Sequence, residues 1–169
     1  PRPPPLAAAD AAEVGAAVRH TQVTATMSLD EAAQTTWDAV VVGAGPAGSF
    51  AAGQLARRGA RTLLVDRKPF PRSKVCGACV NGHALAVLES AGLARLVWSL
   101  GARPLRCLRV RSGAQAAEVL LPAGAAVSRR RLDAALVQEA VAAGAMFLPG
   151  VRGSLGPRET RSAADRGVD

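Results

Sequence analysis

The sequence predicts an α/β fold with a parallel central sheet, and three observations carry that expectation. "DAVVV", residues 38–42, is a short Val-rich run of the kind buried on both faces in a parallel sheet. Gly43, Gly45 and Gly48 follow at once as G-x-G-x-x-G and open a stretch of helical character. "ARTLLVDR", residues 60–67, is a second apolar run closed by Asp66, about 20 residues beyond the glycines. Strand, helix and strand within about 30 residues form a β-α-β unit, which is the building block of a Rossmann-like sheet.

The elements are expected in this order. Residues 1–36 read as a disordered or non-native extension: "PRPPPL" is Pro-rich, "AAADAAEVGAAV" is only weakly helical, and Met27 is a candidate true start. Trp37 opens the first strand, and residues 46–59 form a helix with small residues on one face, stopped by Gly59. Residues 67–82 read as a loop holding Pro69, Pro71, Gly77 and Gly82. Leu85, Leu88, Leu93 and Leu96 recur at helical spacing, with Gly92 as a break. "LRCLRVRSG" and "AAEVLLPAG" read as two strands joined in a hairpin around Ser112 and Gly113. Ser128 is placed as the N-cap of a helix whose Leu132, Leu136, Val137 and Val141 share a face, and Gly144 ends it. "MFLPGV" is a short third strand of the sheet. Patterning stops near residue 151, so the expected domain is 37–151 and residues 152–169 are an irregular tail.

Each position in the glycine motif has a physical job. Gly43 permits a tight turn, Gly45 lets backbone approach a diphosphate, and Gly48 lets the helix pack closely. The turn Gly43-Ala44-Gly45-Pro46-Ala47-Gly48 ends at a helix N-terminus, where free N–H groups and the helix dipole favour an anion. Asp66 can accept hydrogen bonds from an adenosine ribose, and its charge disfavours a 2′-phosphate, so NADP is not expected at this position. The motif by itself leaves FAD and NAD open.

The wider text resolves that choice. Residues 38–93 resemble the opening of FAD-dependent oxidoreductases of the aromatic-hydroxylase and geranylgeranyl-reductase type. The likeness rests on V-x-G-A-G-P-A-G, on Asp66-Arg67 closing the second strand, and on Phe70-Pro71-Arg72-Ser73-Lys74-Val75-Cys76-Gly77-Ala78, which matches F-P-R-x-K-x-C-G-G except that Ala78 replaces the last glycine. "SRRRLDAAL" is similar to a family R-x-x-x-D/H-x-x-L helix whose leading polar residue contacts the flavin. The resemblance implies a Rossmann-like FAD-binding fold and cofactor contacts from Gly43 to Gly48 and from Asp66, Arg67, Cys76, Gly77 and Arg129. It also implies NAD(P)H as electron donor, a small-molecule substrate of unknown identity, and either double-bond reduction or hydroxylation. A family member of full length is more than twice as long, so the chain reads as a truncated or incomplete version lacking the C-terminal half of the fold. The alternatives are a non-catalytic nucleotide-binding fragment, or a flavin disulfide reductase-like protein that has lost its second redox cysteine, since "GACVN" is similar to that family but Ala84 stands where the partner thiol belongs.

Other chemistry has thinner support. Cys76 and Cys79 form a C-x-x-C, but a zinc site needs two more ligands, and Cys107, His20 and His83 are scattered. A thioredoxin-like dithiol belongs directly at a helix N-terminus, whereas Asn81 and Gly82 intervene here. No catalytic side chain is assigned, because in such enzymes the flavin carries the chemistry. The net charge of +8 comes almost entirely from Arg in an Ala- and Gly-rich text. With aromatics at 3% and no basic-aromatic interleaving, nucleic-acid binding is not expected. No apolar run approaches the roughly 18 residues of a membrane span, and the three cysteines suit a reducing, cytoplasmic setting. The text says nothing about oligomeric state.

Overall fold

The computed structural model describes residues 23–154. The first 22 residues of the expected extension and most of the expected tail lie outside the described residues.

The β-α-β unit forms as the sequence indicates. Strand β1 (Ala39–Val42) runs parallel to β2 (Thr62–Asp66), and helix α2 (Pro46–Arg57) connects them. The third strand of this sheet arrives late in the chain. It is β8 (Met146–Pro149), which pairs parallel with β2 from Leu63↔Met146 to Asp66↔Pro149. The sheet order is therefore β1-β2-β8. All five residues of the central strand β2 are buried, which is why its middle, Leu63 to Val65, reads as apolar without alternation.

Between β2 and β8 the chain builds a second layer. Strand β3 (Cys79–Asn81), helices α3 (Gly82–Ser90) and α4 (Leu96–Ser99), and strands β4 (Arg103–Pro104) and β7 (Gly124–Ala126) form it, with β7 central in an antiparallel β3-β7-β4 sheet. Strands β5 (Cys107–Ser112) and β6 (Gln115–Leu120) make the expected hairpin, turning at Gly113 and Ala114. The region expected to be loop through residue 82 thus contains β3. Three residues are too few to show a period, and their order comes from pairing with β7.

Helix α5 (Arg129–Ala142) joins the two layers. Val137 and Ala140 pack with Leu64 and Phe147 of the parallel sheet, while Leu132 and Leu136 pack with Leu88, Val97 and Val127 of the second layer. It lies close against α2, where a Cβ on Gly53 would stand 3.3 Å from the Ala140 Cα. Ser128 occupies the N-cap position, but its hydroxyl makes no capping hydrogen bond. Gly92 separates α3 from α4 with φ of +76°.

Residues 23–36 differ from the expectation of a segment outside the fold. They wrap around the β8 edge of the sheet. Val23 is buried on the helix side, and Thr26 pairs with Phe147, whose carbonyl accepts the Thr26 N–H at 3.0 Å and whose N–H donates to Thr26 Oγ1 at 2.7 Å. Met27, Ala32 of helix α1 (Leu29–Gln34) and Trp37 then cover Leu63, Val65 and Leu148 on the far face. A strand edge offers backbone groups that need partners, and this segment supplies them. Ser28 and Glu31 close α1 with a reciprocal capping box. Among the described residues, no helix is long and apolar enough to cross a membrane.

Candidate functional site

The site lies at the carboxyl ends of β1 and β2, where the glycine turn leads into α2. Gly43 has φ of +104°, a conformation L-residues rarely adopt. Gly48 admits no side chain, because a Cβ would collide with the Gly43 carbonyl oxygen and approach Val41 Cγ1 to 3.4 Å. The turn therefore folds back on its own helix, and Gly48 packs against the turn as well as the strand. Gly45 is different: a Cβ there would meet only the Arg72 Nη2, at 3.7 Å. The backbone at Gly45 is open on the side a ligand would use. Pro46 and Ala47 form the first turn of α2, with Pro46 at a position that needs no N–H partner.

Asp66 sits at the floor of this site, 6% exposed. Its Oδ2 accepts the Ala44 N–H at 2.8 Å and its Oδ1 accepts the Lys68 N–H at 2.9 Å. Ala44 thus serves the site through its backbone, by tying the glycine turn to the end of β2. Arg72 places Nη2 at 3.3 Å from Asp66 Oδ2 and at 3.6 Å from Asp133 Oδ2. Arg129 then grips Asp133 with two bonds, Nε to Oδ1 at 2.7 Å and Nη2 to Oδ2 at 3.1 Å. The result is an alternating chain of charges, Asp66–Arg72–Asp133–Arg129. The pKa of Arg129 is raised above its ordinary value, chiefly by the hydrogen bonds to Asp133, with a smaller contribution from the Cys76 thiol beside it.

The loop after β2 carries the remaining expected residues. Phe70 is buried edge-to-face on Phe147 and lies under the Arg72 guanidinium. From Ser73 to Gly77 the loop is exposed. Cys76 Sγ accepts the Ala78 N–H at 3.1 Å, and the Cys79 thiol donates to the Gly77 carbonyl at 3.0 Å. Both cysteines are free and exposed. Ala78, which stands where the resembling family has glycine, has φ of +55°, the left-handed conformation.

A cleft of about 490 Å³ opens over these groups, lined by Gly43, Gly45, Asp66, Arg67, Arg72 and Lys74 among others. Of the expected residues, Gly43, Gly45, Asp66 and Arg67 line it, Ala44, Pro46, Ala47 and Gly48 build its turn, and Cys76 and Gly77 follow the loop residues at its rim. Arg129 stands behind the loop, beside Cys76. The sequence motifs contain Arg72 and Asp133 but give neither a role. Asp133 had a readable signal, since it is an acid between Leu132 and Leu136 on the apolar face of a helix. The groups present suit a dinucleotide: an open glycine turn, a helix N-terminus, a ribose-competent carboxylate and cationic walls. The Arg72 Nε is buried without a hydrogen-bond partner among the described residues.

Comparison with known proteins identifies the family and the fold. Residues 36–152 match the family described as FAD binding domain. Menaquinone reductase of Mycobacterium tuberculosis is 39% identical over 132 residues, covering 75% of this chain and 31% of that protein. Among solved structures, a flavin-dependent brominase is 26% identical with a TM-score of 0.60, over 68% of this chain and 29% of that one. A geranylgeranyl bacteriochlorophyll reductase-like protein from Thermoplasma acidophilum, 23% identical, shares the fold with a TM-score of 0.56, over 68% of this chain and 30% of that one. The chain spans about a third of the length of the Mycobacterium tuberculosis relative. A glycine turn that only glycine can build, a buried carboxylate at its floor and a family match across all three sheets place this chain in the FAD binding domain family, as an FAD-binding domain of the flavin-dependent oxidoreductases and monooxygenases.

Proposed function

We propose that this chain is the FAD-binding portion of a reductase that takes electrons from NAD(P)H and acts on an unsaturated isoprenoid lipid or quinone. The observation that carries the reading is the open Gly43–Gly48 turn, tied to Asp66 at the floor of the cleft. Gly45 and the N-terminus of α2 hold the diphosphate, Asp66 the adenosine ribose, and Arg67 and Arg72 balance the negative charge. Cys76, Gly77 and Arg129 lie toward the flavin end. FAD, when bound, supplies the hydride chemistry, while the protein binds, orients and shields it. The reductase side is favoured over hydroxylation by relatives bearing the names Menaquinone reductase and Digeranylgeranylglycerophospholipid reductase, the latter from Sulfolobus acidocaldarius and 51% identical over 47 residues.

The test has two stages. The full chain is loaded with FAD, desalted, and examined for retained flavin absorbance, which Gly45→Val should abolish. The loaded protein is then reduced anaerobically with NADH or NADPH and offered a short-chain menaquinone analogue. Bleaching by the nicotinamide followed by reoxidation by the quinone supports the reading. A protein that keeps no flavin, or whose reduced flavin reacts with O2 alone, refutes it.

A further inference from the structure

We propose that Asp133 is a positioning residue, which keeps one acceptor site of the Asp66 carboxylate open for a ribose hydroxyl of the bound dinucleotide. The inference rests on the cofactor reading above. An ionised carboxylate offers about four acceptor sites. Two of those on Asp66 are filled by hydrogen bonds, from the Ala44 N–H and the Lys68 N–H, while the Arg72 Nη2 stands 3.3 Å from Oδ2 as an ion pair.

Arg72 is used incompletely. One nitrogen, Nη2, makes both carboxylate contacts, at 3.3 Å and 3.6 Å, while Nε is buried with no partner. The guanidinium fork matches a carboxylate and closes on one when nothing competes. Asp133 is the competitor. It is 0% exposed, sits on a helix packed into both cores, and is held by the two Arg129 bonds. It is thus a rigid anion that Arg72 cannot drag toward Asp66. Without its charge, the Arg72 fork closes on Asp66 with Nε and Nη2 together, and no acceptor site is left for a ribose hydroxyl. Asp133 does this through Arg72 and touches no cofactor itself.

The inference predicts a dependence on background that a merely structural role does not. FAD dissociation constants are measured by flavin fluorescence for the full chain, D133N, R72Q and the double variant, with circular dichroism confirming the fold. D133N should weaken FAD binding about tenfold, the range of one charge-assisted hydrogen bond. In the R72Q background the same change should alter the constant by less than about twofold, because no fork remains to close. An equal loss in both backgrounds overturns the inference. If D133N does not fold, D133S, which also removes the charge, replaces it in both backgrounds with the same criterion. A wild-type chain that binds no FAD overturns the cofactor reading itself, and this inference with it, whereas wild-type binding with an additive cycle overturns this inference alone.

Discussion

Replacing Gly45 and Gly48 by alanine, one at a time, should separate the cofactor site from the fold that carries it. Gly45 has φ of −79° and ψ of 179°, extended backbone that any residue adopts. A methyl there meets only the flexible end of Arg72, at 3.7 Å, so the ligand-free protein should accept it with a change of less than about 0.5 kcal/mol. That methyl nevertheless occupies the space where a diphosphate would approach the backbone, and FAD affinity should fall at least about tenfold. Gly48 offers no such room, because its added Cβ would overlap the Gly43 carbonyl oxygen, and backbone cannot swing aside. Overpacking costs about 1–3 kcal/mol, occasionally more. The better helix propensity of alanine returns at most about 1 kcal/mol. A net loss of about 2 kcal/mol corresponds to a fall in Tm of roughly 5–10 °C for a domain of this size. Scanning fluorimetry without ligand and FAD titration with ligand measure the two effects independently. Equal Tm losses for the two variants, or a Gly48→Ala protein with wild-type Tm, would falsify the reasoning.

Three further outcomes follow from the same structure. Phe147 is fully buried and edge-on to Phe70, so Phe147→Ala should cost about 3–5 kcal/mol in urea unfolding. Ala78→Gly should stabilise: releasing a left-handed alanine returns about 1–2 kcal/mol, partly offset by the greater unfolded-state freedom of glycine, and a rise in Tm of a few degrees is expected. The Glu31 carboxyl is held below its ordinary 4.5, first by the Ser28 backbone N–H and then by the Ser28 hydroxyl. A depressed acid stabilises the fold above its unfolded value and loses that contribution as pH falls through the folded one. Stability curves of wild type and Glu31→Gln should therefore diverge above about pH 4.5 and converge in stronger acid.

What could be read from the text was local. The glycine turn, the strands beside it and the hairpin each announce themselves within a dozen residues, through spacing or through the change from period 2 to period 3.6. What could not be read depends on distant partners. Thr26 docks on Phe147 through backbone groups and one hydroxyl, which leaves no hydrophobic signature. Strands β4 and β7 hold two and three residues and become strands only by pairing. Arg72 looks like any loop arginine until the fold sets Asp66 and Asp133 on either side of it. The likeness to flavoproteins pointed to the loop that contains Arg72, but not to the residue that matters there.

The late arrival of β8 has a consequence for synthesis. The chain emerges from the ribosome N-terminus first, and β1, α2 and β2 can assemble as soon as Asp66 has cleared the exit tunnel. The other side of β2 then has no neighbour until Met146–Pro149 is made, with the whole second layer translated in between. During that interval a strand whose five residues are all buried in the finished fold presents an unpaired edge. At about 5–20 residues per second the exposure lasts several seconds, long compared with the folding of small domains. A nascent chain halted within α5 should therefore be a strong client for holdase chaperones, and one halted after Pro149 has cleared the tunnel a weak one.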